Sequence, residues 1–422
     1  MNPTITIIGA GISGLTAGLH LHRQGFSVKI IEASDRAGGR IKTDSIDGFK
    51  LDRGFQVLLT SYPEAKMLLD YEALQLKTFL PGATVLYDGG QFEIADPFRR
   101  PSALLATVFA PVGSLKDKLN TFLLKQKLVS KSIEGIFMQE QKSSLEQLKN
   151  YGFSSKMINR FFKPFFSGIF LENNLSTPNR MFDFVMKMFS EGDAAIPALG
   201  MEEIPKQLAS QLPADSFLYN TKVVDIRENT IFTDTGAEIK SDIIIVATEA
   251  NNLISKLKNN VETQHHSVTN VYFQTKIVPS NKAVVILNAS ESKKVVNNLT
   301  VMTNVSKAYA PAGKVLISIS CNGILDLYEQ ELVQKIKNEL QPWFGKQVEE
   351  WSHLKTYKIK YALPNLKVLK DDLTIDDMKI KDNLYCCGDH LLNGSINAAM
   401  KSGRLVADLI IAENRQNYIE KN

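Results

Sequence analysis

The residues with the clearest chemical purpose lie near the start of the chain. Residues 4–14 read TITIIGAGISG, so a β-branched run passes directly into Gly9-x-Gly11-x-x-Gly14, with Ala10, Ile12 and Ser13 between the glycines. Gly9 permits a tight turn, Gly11 lets backbone N–H groups approach a pyrophosphate, and Gly14 lets a helix pack closely on its sheet. Glu32, followed by Ala33, stands 18 residues after Gly14, near the interval at which an acidic side chain meets the ribose of a bound dinucleotide. A carboxylate there accepts both ribose hydroxyls and repels a 2′-phosphate, which disfavours NADP. The helix N-terminus behind the glycines offers about half a positive charge to the phosphates. These spacings predict a dinucleotide site.

The segment after Glu32 narrows the cofactor. Arg36-Ala37-Gly38-Gly39-Arg40-Ile41-Lys42-Thr43 has the form R-x-G-G-R-x-x-T, and near the other end Gly388-Asp389 precedes Gly394-Ser395-Ile396-Asn397-Ala398-Ala399-Met400. These elements resemble the FAD-dependent amine oxidase, protoporphyrinogen oxidase and phytoene desaturase superfamily, and the C-terminal one is most similar to its carotenoid (phytoene) desaturase branch. The resemblance implies tightly bound FAD. It assigns Gly38, Gly39 and Arg40 to the pyrophosphate, Asp389 to the ribityl or phosphate portion, and the backbone at Ser395 and Ile396 to the flavin. It assigns the backbone of Val224 to the adenine. The superfamily also places a loop beside the flavin, here Asp52-Arg53-Gly54-Phe55-Gln56, which makes Gly54 and Phe55 cofactor contacts. Arg53 and Gln56 become candidates to face the isoalloxazine or the substrate, with an ion pair as the competing role for Arg53. Lys163, His390 and Tyr361 are further proton-handling candidates that no spacing singles out.

The elements that must position these residues follow from periodicity. Ile12, Leu15 and Leu19 keep a helical spacing up to Gly25, and Val28–Ile31 makes a second strand. Asp242–Thr248 reads as a buried strand, Asn383–Cys387 as another, and Ile396, Met400, Val406 and Ile410 as one face of a long helix. The expected fold is α/β: a Rossmann-like FAD-binding domain of the glutathione-reductase type with an inserted α+β substrate domain. The FAD domain is expected to comprise residues 1–90, 195–260 and 370–422. The insertions are a helical part at 91–194 and a sheet part at 261–369. Nine of the 22 phenylalanines fall within 151–190. Phe162 and Phe166 are the candidates from this cluster for an apolar substrate wall, with a packed helical core as the competing reading.

Composition bounds the function. The 422 residues carry a net charge of +4 and 22% charged residues, which offers no broad field for nucleic acid. Three cysteines without a C-x-x-C pair, and six histidines without metal spacing, predict neither disulfides nor a metal site. The chain reads as cytoplasmic and without a membrane span, with peripheral membrane contact at the short apolar run 101–114 as an alternative. The expected activity is hydride removal from a small apolar substrate, an isoprenoid or carotenoid-like lipid, with oxygen or a quinone as final acceptor. The alternatives are amine or protoporphyrinogen oxidation, and a non-catalytic binding protein of GDP-dissociation-inhibitor-like architecture.

Overall fold

The computed structural model describes residues 3–96, 99–249, 253, 264–292 and 294–420. Two large sheets organise them. The first has six strands in the order Phe217–Leu218, Ser27–Ile31, Thr4–Ile8, Ile243–Val246, Leu384–Cys386 and Lys379–Lys381, parallel except for the last. Parallel strands are covered on both faces and read as unbroken apolar runs. Accordingly Ile5, Ile7, Ile30, Ile245 and Val246 are all buried. The helices Ile12–Arg23 and Ile396–Glu420 pack side by side on this sheet. Three chain segments therefore build one sheet, drawn from the regions expected for the FAD domain. The boundary expected at 260 and 261 lies outside the described residues.

The second sheet has seven strands in the order Ser352–Pro364, His265–Thr275, Val315–Asn322, Asn298–Val301, Val285–Asn288, Gly82–Tyr87 and Gly90–Ala95. Helix Glu329–Phe344 presents Leu332, Ile336, Leu340 and Phe344 at every fourth residue to one face, against Val271, Phe273, Ile317 and Trp351. The opposite face, with Tyr272 and Leu316, belongs to the main core shared with the helical segment. One expectation is corrected here. Gly82–Tyr87 falls inside the span 1–90 expected for the FAD domain, yet it pairs in parallel with Val285–Asn288, Ala83 opposite Val285, and so belongs to the second sheet.

The helical segment runs from Leu104–Phe109 through Leu115–Ser130 to Lys163–Phe170 and Asn179–Glu191. A π-helical turn, Ile158–Phe162, precedes Lys163–Phe170. Pro164 explains it, because a residue without an N–H cannot continue the α-helical ladder back to the preceding turn.

Candidate functional site

The glycine turn is built by close backbone contact. Gly9 has φ +108° and its N–H donates to Ile31 O at 2.8 Å. A Cβ on Gly14 would stand 2.1 Å from Gly9 O, so a side chain there would push the helix off the turn. Gly11 lies extended at the helix N-cap, with no side-chain cap and no acidic residue in the first turn. Gly11, Ile12 and Ser13 face a large cavity, leaving the unpaired N–H groups of the helix start available to an anion there.

Glu32 lines the same cavity at the end of its strand. Its Oε2 accepts from Ala10 N–H at 2.8 Å, and Oε1 accepts from Ser34 N–H at 2.9 Å and Ser34 Oγ at 2.6 Å. Lys42 Nζ in turn donates to Ser34 Oγ at 2.7 Å. Glu32 thus ties the glycine turn to the next loop, and each of its oxygens keeps acceptor capacity for a ligand hydroxyl only on its remaining lone pairs.

The two ends of the chain meet at Arg40 and Asp389, where Arg40 Nη2 lies 2.5 Å from Asp389 Oδ1. Burial pushes the Asp389 carboxyl up, but the adjacent guanidinium outweighs it and holds the group below the usual carboxylate range. Glu249 stands near Arg40 too, and there burial prevails, raising its pKa. On the neighbouring helix Ser395 Oγ accepts from Ala398 N–H at 3.0 Å and donates to Asn393 at 2.7 Å. Ser395 and Ile396 line the cavity beside Gly388 and Asp389.

The cavity has a volume of about 790 Å³ and runs from this polar end to an apolar end lined by Phe161, Phe165, Met186 and Phe189. Beyond them lie two neutralised carboxylates, Asp96 with Lys125 Nζ at 2.5 Å and Asp193 paired with Arg99. Two buried polar atoms on the wall, Gln56 Oε1 and Thr248 Oγ1, have no hydrogen-bond partner among the described residues. Such orphans are rare in proteins and fit a wall shaped for a polar ligand. With the uncapped helix start, the close glycines and a fixed cation, they suit a group combining phosphates with a hydrogen-bonding ring system, as FAD does.

Several expected residues stand elsewhere. Phe162 and Phe166 are corrected as wall residues, since both are fully buried among aromatic rings, while Phe161 and Phe165, one position earlier, stack at 5.7 Å and face the cavity. Arg53 is also corrected. It is partly exposed, outside the cavity wall, and holds both oxygens of Asp44, at 2.9 and 3.0 Å. Gln56 and Phe55 do line the cavity, and Gln56 Nε2 donates to Arg40 O at 3.2 Å. Ala10, Gly14, Ala33, Gly54 and Val224 are not on the wall. Val224 is exposed at a register shift in its strand, and Gly54 abuts Ile359. Of the proton-handling candidates His390 lines the cavity, whereas Lys163 and Tyr361 do not.

Sequence reasoning missed Thr248 and Glu249, and within the phenylalanine cluster at 151–190 it singled out Phe162 and Phe166 where Phe161, Phe165 and Phe189 line the cavity. A signal existed for the first two, because they follow the buried strand Ile243–Val246, and ligands of open α/β sheets gather beyond the carboxyl ends of strands.

The family described as flavin containing amine oxidoreductase matches residues 12–411. Among curated proteins, the chain is 26% identical over 185 residues to a 1-hydroxycarotenoid 3,4-desaturase from Flavobacterium sp. (strain P99-3), covering 42% of this chain and 35% of that protein. It is 25% identical over 166 residues to protoporphyrinogen oxidase 2, chloroplastic/mitochondrial, of Arabidopsis thaliana, covering 39% of this chain and 32% of that protein. The matches thus span about a third of the length of these two relatives. Among solved structures, an oxidoreductase from Methanosarcina mazei superposes with a TM-score of 0.72 at 17% identity, covering 96% of this chain and 100% of that one. This last likeness concerns the fold.

Proposed function

Because the chain belongs to the family of flavin-containing amine oxidoreductases, and is on that ground an FAD-dependent oxidoreductase, we propose that it oxidises a mostly apolar molecule, an isoprenoid or carotenoid-like lipid. The observation that carries this reading is the continuity of one cavity from the Arg40 and Asp389 end to the aromatic wall of Phe161, Phe165 and Phe189. When bound, FAD supplies the hydride acceptor.

The protein's own groups bind and orient. The N–H groups at Gly11 to Ser13 and the Arg40 guanidinium meet the pyrophosphate, and Glu32 meets the ribose. Thr248 and Gln56 offer their free polar atoms to the ring system, with Gln56 held in place by its bond to Arg40 O. Arg40 keeps Asp389 ionised, so the carboxylate remains an acceptor at neutral pH. The aromatic wall excludes water from the reacting end and positions an apolar chain by contact alone. We propose oxygen or a quinone as the final electron acceptor.

Amine or protoporphyrinogen oxidation is the competing substrate class. Holding the distal ammonium of a diamine at the apolar end would use a free carboxylate, yet Asp96 and Asp193 are each already paired with a cation there, which supports the apolar reading over the diamine one. The test is anaerobic mixing of flavin-loaded enzyme with a detergent-dispersed carotenoid-type polyene, a diamine and a porphyrinogen. Bleaching of the flavin band by the polyene is the expected result. Bleaching only by the diamine or only by the porphyrinogen overturns it.

A further inference from the structure

The helices Leu104–Phe109 and Leu115–Ser130 carry large apolar side chains on the wrong side for a core. Leu105 is 69% exposed, Phe109 80% and Leu115 71%, and Leu104, Leu119 and Leu123 are exposed as well. Leu115, Leu119 and Leu123 are spaced by four, so they form one outward stripe about 12 Å long. Leu124 and Leu128 fill the inward stripe of the same helix and are buried. The two helices are fastened together, since Lys118 Nζ donates to Val108 O and, at 3.2 Å, to Ala110 O. The apolar surface is therefore a fixed plate. Contiguous exposed apolar surface of this kind marks an interaction site.

Charge identifies what covers it. Between residues 99 and 131 the chain has seven basic residues, Arg99, Arg100 and five lysines, and one acidic residue, Asp117. Asp117 is buried under Ser114 and Ser154, where it closes the capping box of the helix, so its charge is turned inward onto hydrogen-bond donors. Arg99, Arg100 and Lys125 are ion-paired with Asp193, Glu93 and Asp96, so the positive charge beside the plate comes from Lys116, Lys118, Lys127 and Lys131, of which Lys116 and Lys127 are exposed. Exposed leucine and phenylalanine bordered by lysine suit the apolar and anionic layers of a lipid surface together. On the inner side of the same two helices, Thr107, Val108, Thr121 and Phe122 line the cavity.

We propose that this plate seats the protein on the surface of an anionic lipid bilayer, placing the cavity's helical wall against the membrane. No helix among the described residues is long and apolar enough to cross one, so the contact is peripheral. The proposal deepens the reading above and rests on it only for the cargo, an apolar substrate that enters from the lipid.

The test is co-sedimentation of the flavin-loaded full chain with vesicles of phosphatidylcholine alone, and with vesicles in which a quarter of the lipid is phosphatidylglycerol. The expected result is binding to the anionic vesicles that weakens about tenfold or more without phosphatidylglycerol. The triple substitution Leu105→Glu, Phe109→Glu and Leu119→Glu should weaken it about tenfold or more, with flavin content and melting temperature kept. A second variant, Lys116→Glu with Lys127→Glu, should reduce the preference for anionic vesicles. Absence of binding to either vesicle overturns the proposal, as does unchanged binding by the triple variant. A wild-type dimer that the triple variant turns into a monomer also overturns it, assigning the plate to contact between copies. The assay contains no oxidisable substrate, so it can fail while the polyene reading stands, and the reverse.

Discussion

Truncating Phe162 and truncating its neighbour Phe161 should have opposite consequences. Phe162 is fully buried, with ring centroids of Phe153 at 4.6 Å, Phe161 at 5.3 Å, Phe182 at 5.9 Å and Phe166 at 6.4 Å. Phe162→Ala removes the ring from a site its neighbours cannot collapse into, a change that costs about 3–5 kcal/mol. An unfolding entropy of about 2.1 cal/mol/K per residue gives roughly 0.9 kcal/mol/K for 422 residues. Cooperative unfolding of the whole chain then lowers Tm by about 3–6 °C, and a smaller unfolding unit lowers it further. Phe161 is only partly buried and faces the cavity. Phe161→Ala should leave Tm almost in place but remove apolar contact with the substrate worth about 1.5–3 kcal/mol, a roughly 10- to 150-fold loss of affinity. Calorimetry and substrate-dependent anaerobic flavin bleaching on both variants read the two effects. Wild-type melting with weakened substrate binding in Phe162→Ala, and the reverse in Phe161→Ala, would refute the assignment of the two rings.

Glu32→Ala should weaken FAD affinity about tenfold to several hundredfold, because it removes charge-assisted bonds worth about 1.5–3 kcal/mol each; an unchanged dissociation constant by flavin fluorescence would place the ribose elsewhere. Burial pushes the Asp52 carboxyl up to about 6 against hydrogen bonds from Thr43, Met201 and Tyr309. The folded state therefore holds a proton that the unfolded chain has released, and this group's contribution falls as pH rises from about 4 to about 6, by up to ~3 kcal/mol. Asp52→Asn should flatten that part of the Tm against pH curve, and parallel curves for the two proteins would contradict the shift. NADH and NADPH should not bleach the flavin rapidly under anaerobic conditions, since no second Gly-x-Gly-x-x-Gly follows Gly14; stopped-flow bleaching at physiological concentrations would count against a substrate-reduced enzyme.

The parts of the site legible in the sequence are those where the backbone itself does the work. Gly9, Gly14 and Gly39 occupy places that a Cβ could not share or that need positive φ, so their spacing alone carries the geometry. Side-chain direction was not legible in the same way. Phe161 with Phe165, and Phe162 with Phe166, are both spaced by four, and the π-helical turn before Pro164 decides which pair turns toward the cavity. Arg53 belongs to the same class. Its fork meets Asp44 because the two-stranded hairpin Thr43–Ile46 and Phe49–Asp52 brings them together. Sheet membership of Gly82–Tyr87 was hidden for another reason. The run GATVLY shows a strand, but its partner Val285–Asn288 lies some 200 residues on, and nothing local names it.

The order of strands in the first sheet has a consequence for how the chain is made. Thr4–Ile8 leaves the ribosome long before its neighbour Ile243–Val246, which follows only after more than 230 residues, with Leu384–Cys386 later still. At about 5–20 residues per second, the newborn strand waits roughly 12–48 s for its partner. During that time an apolar strand edge and the glycine turn stand without the Arg40 and Asp389 clasp. Nascent chains of this topology depend on shielding by a chaperone more than a protein whose neighbours in space are neighbours in sequence. On the proposed site, flavin meets a state able to hold it only once Asp389 has been made and has reached Arg40.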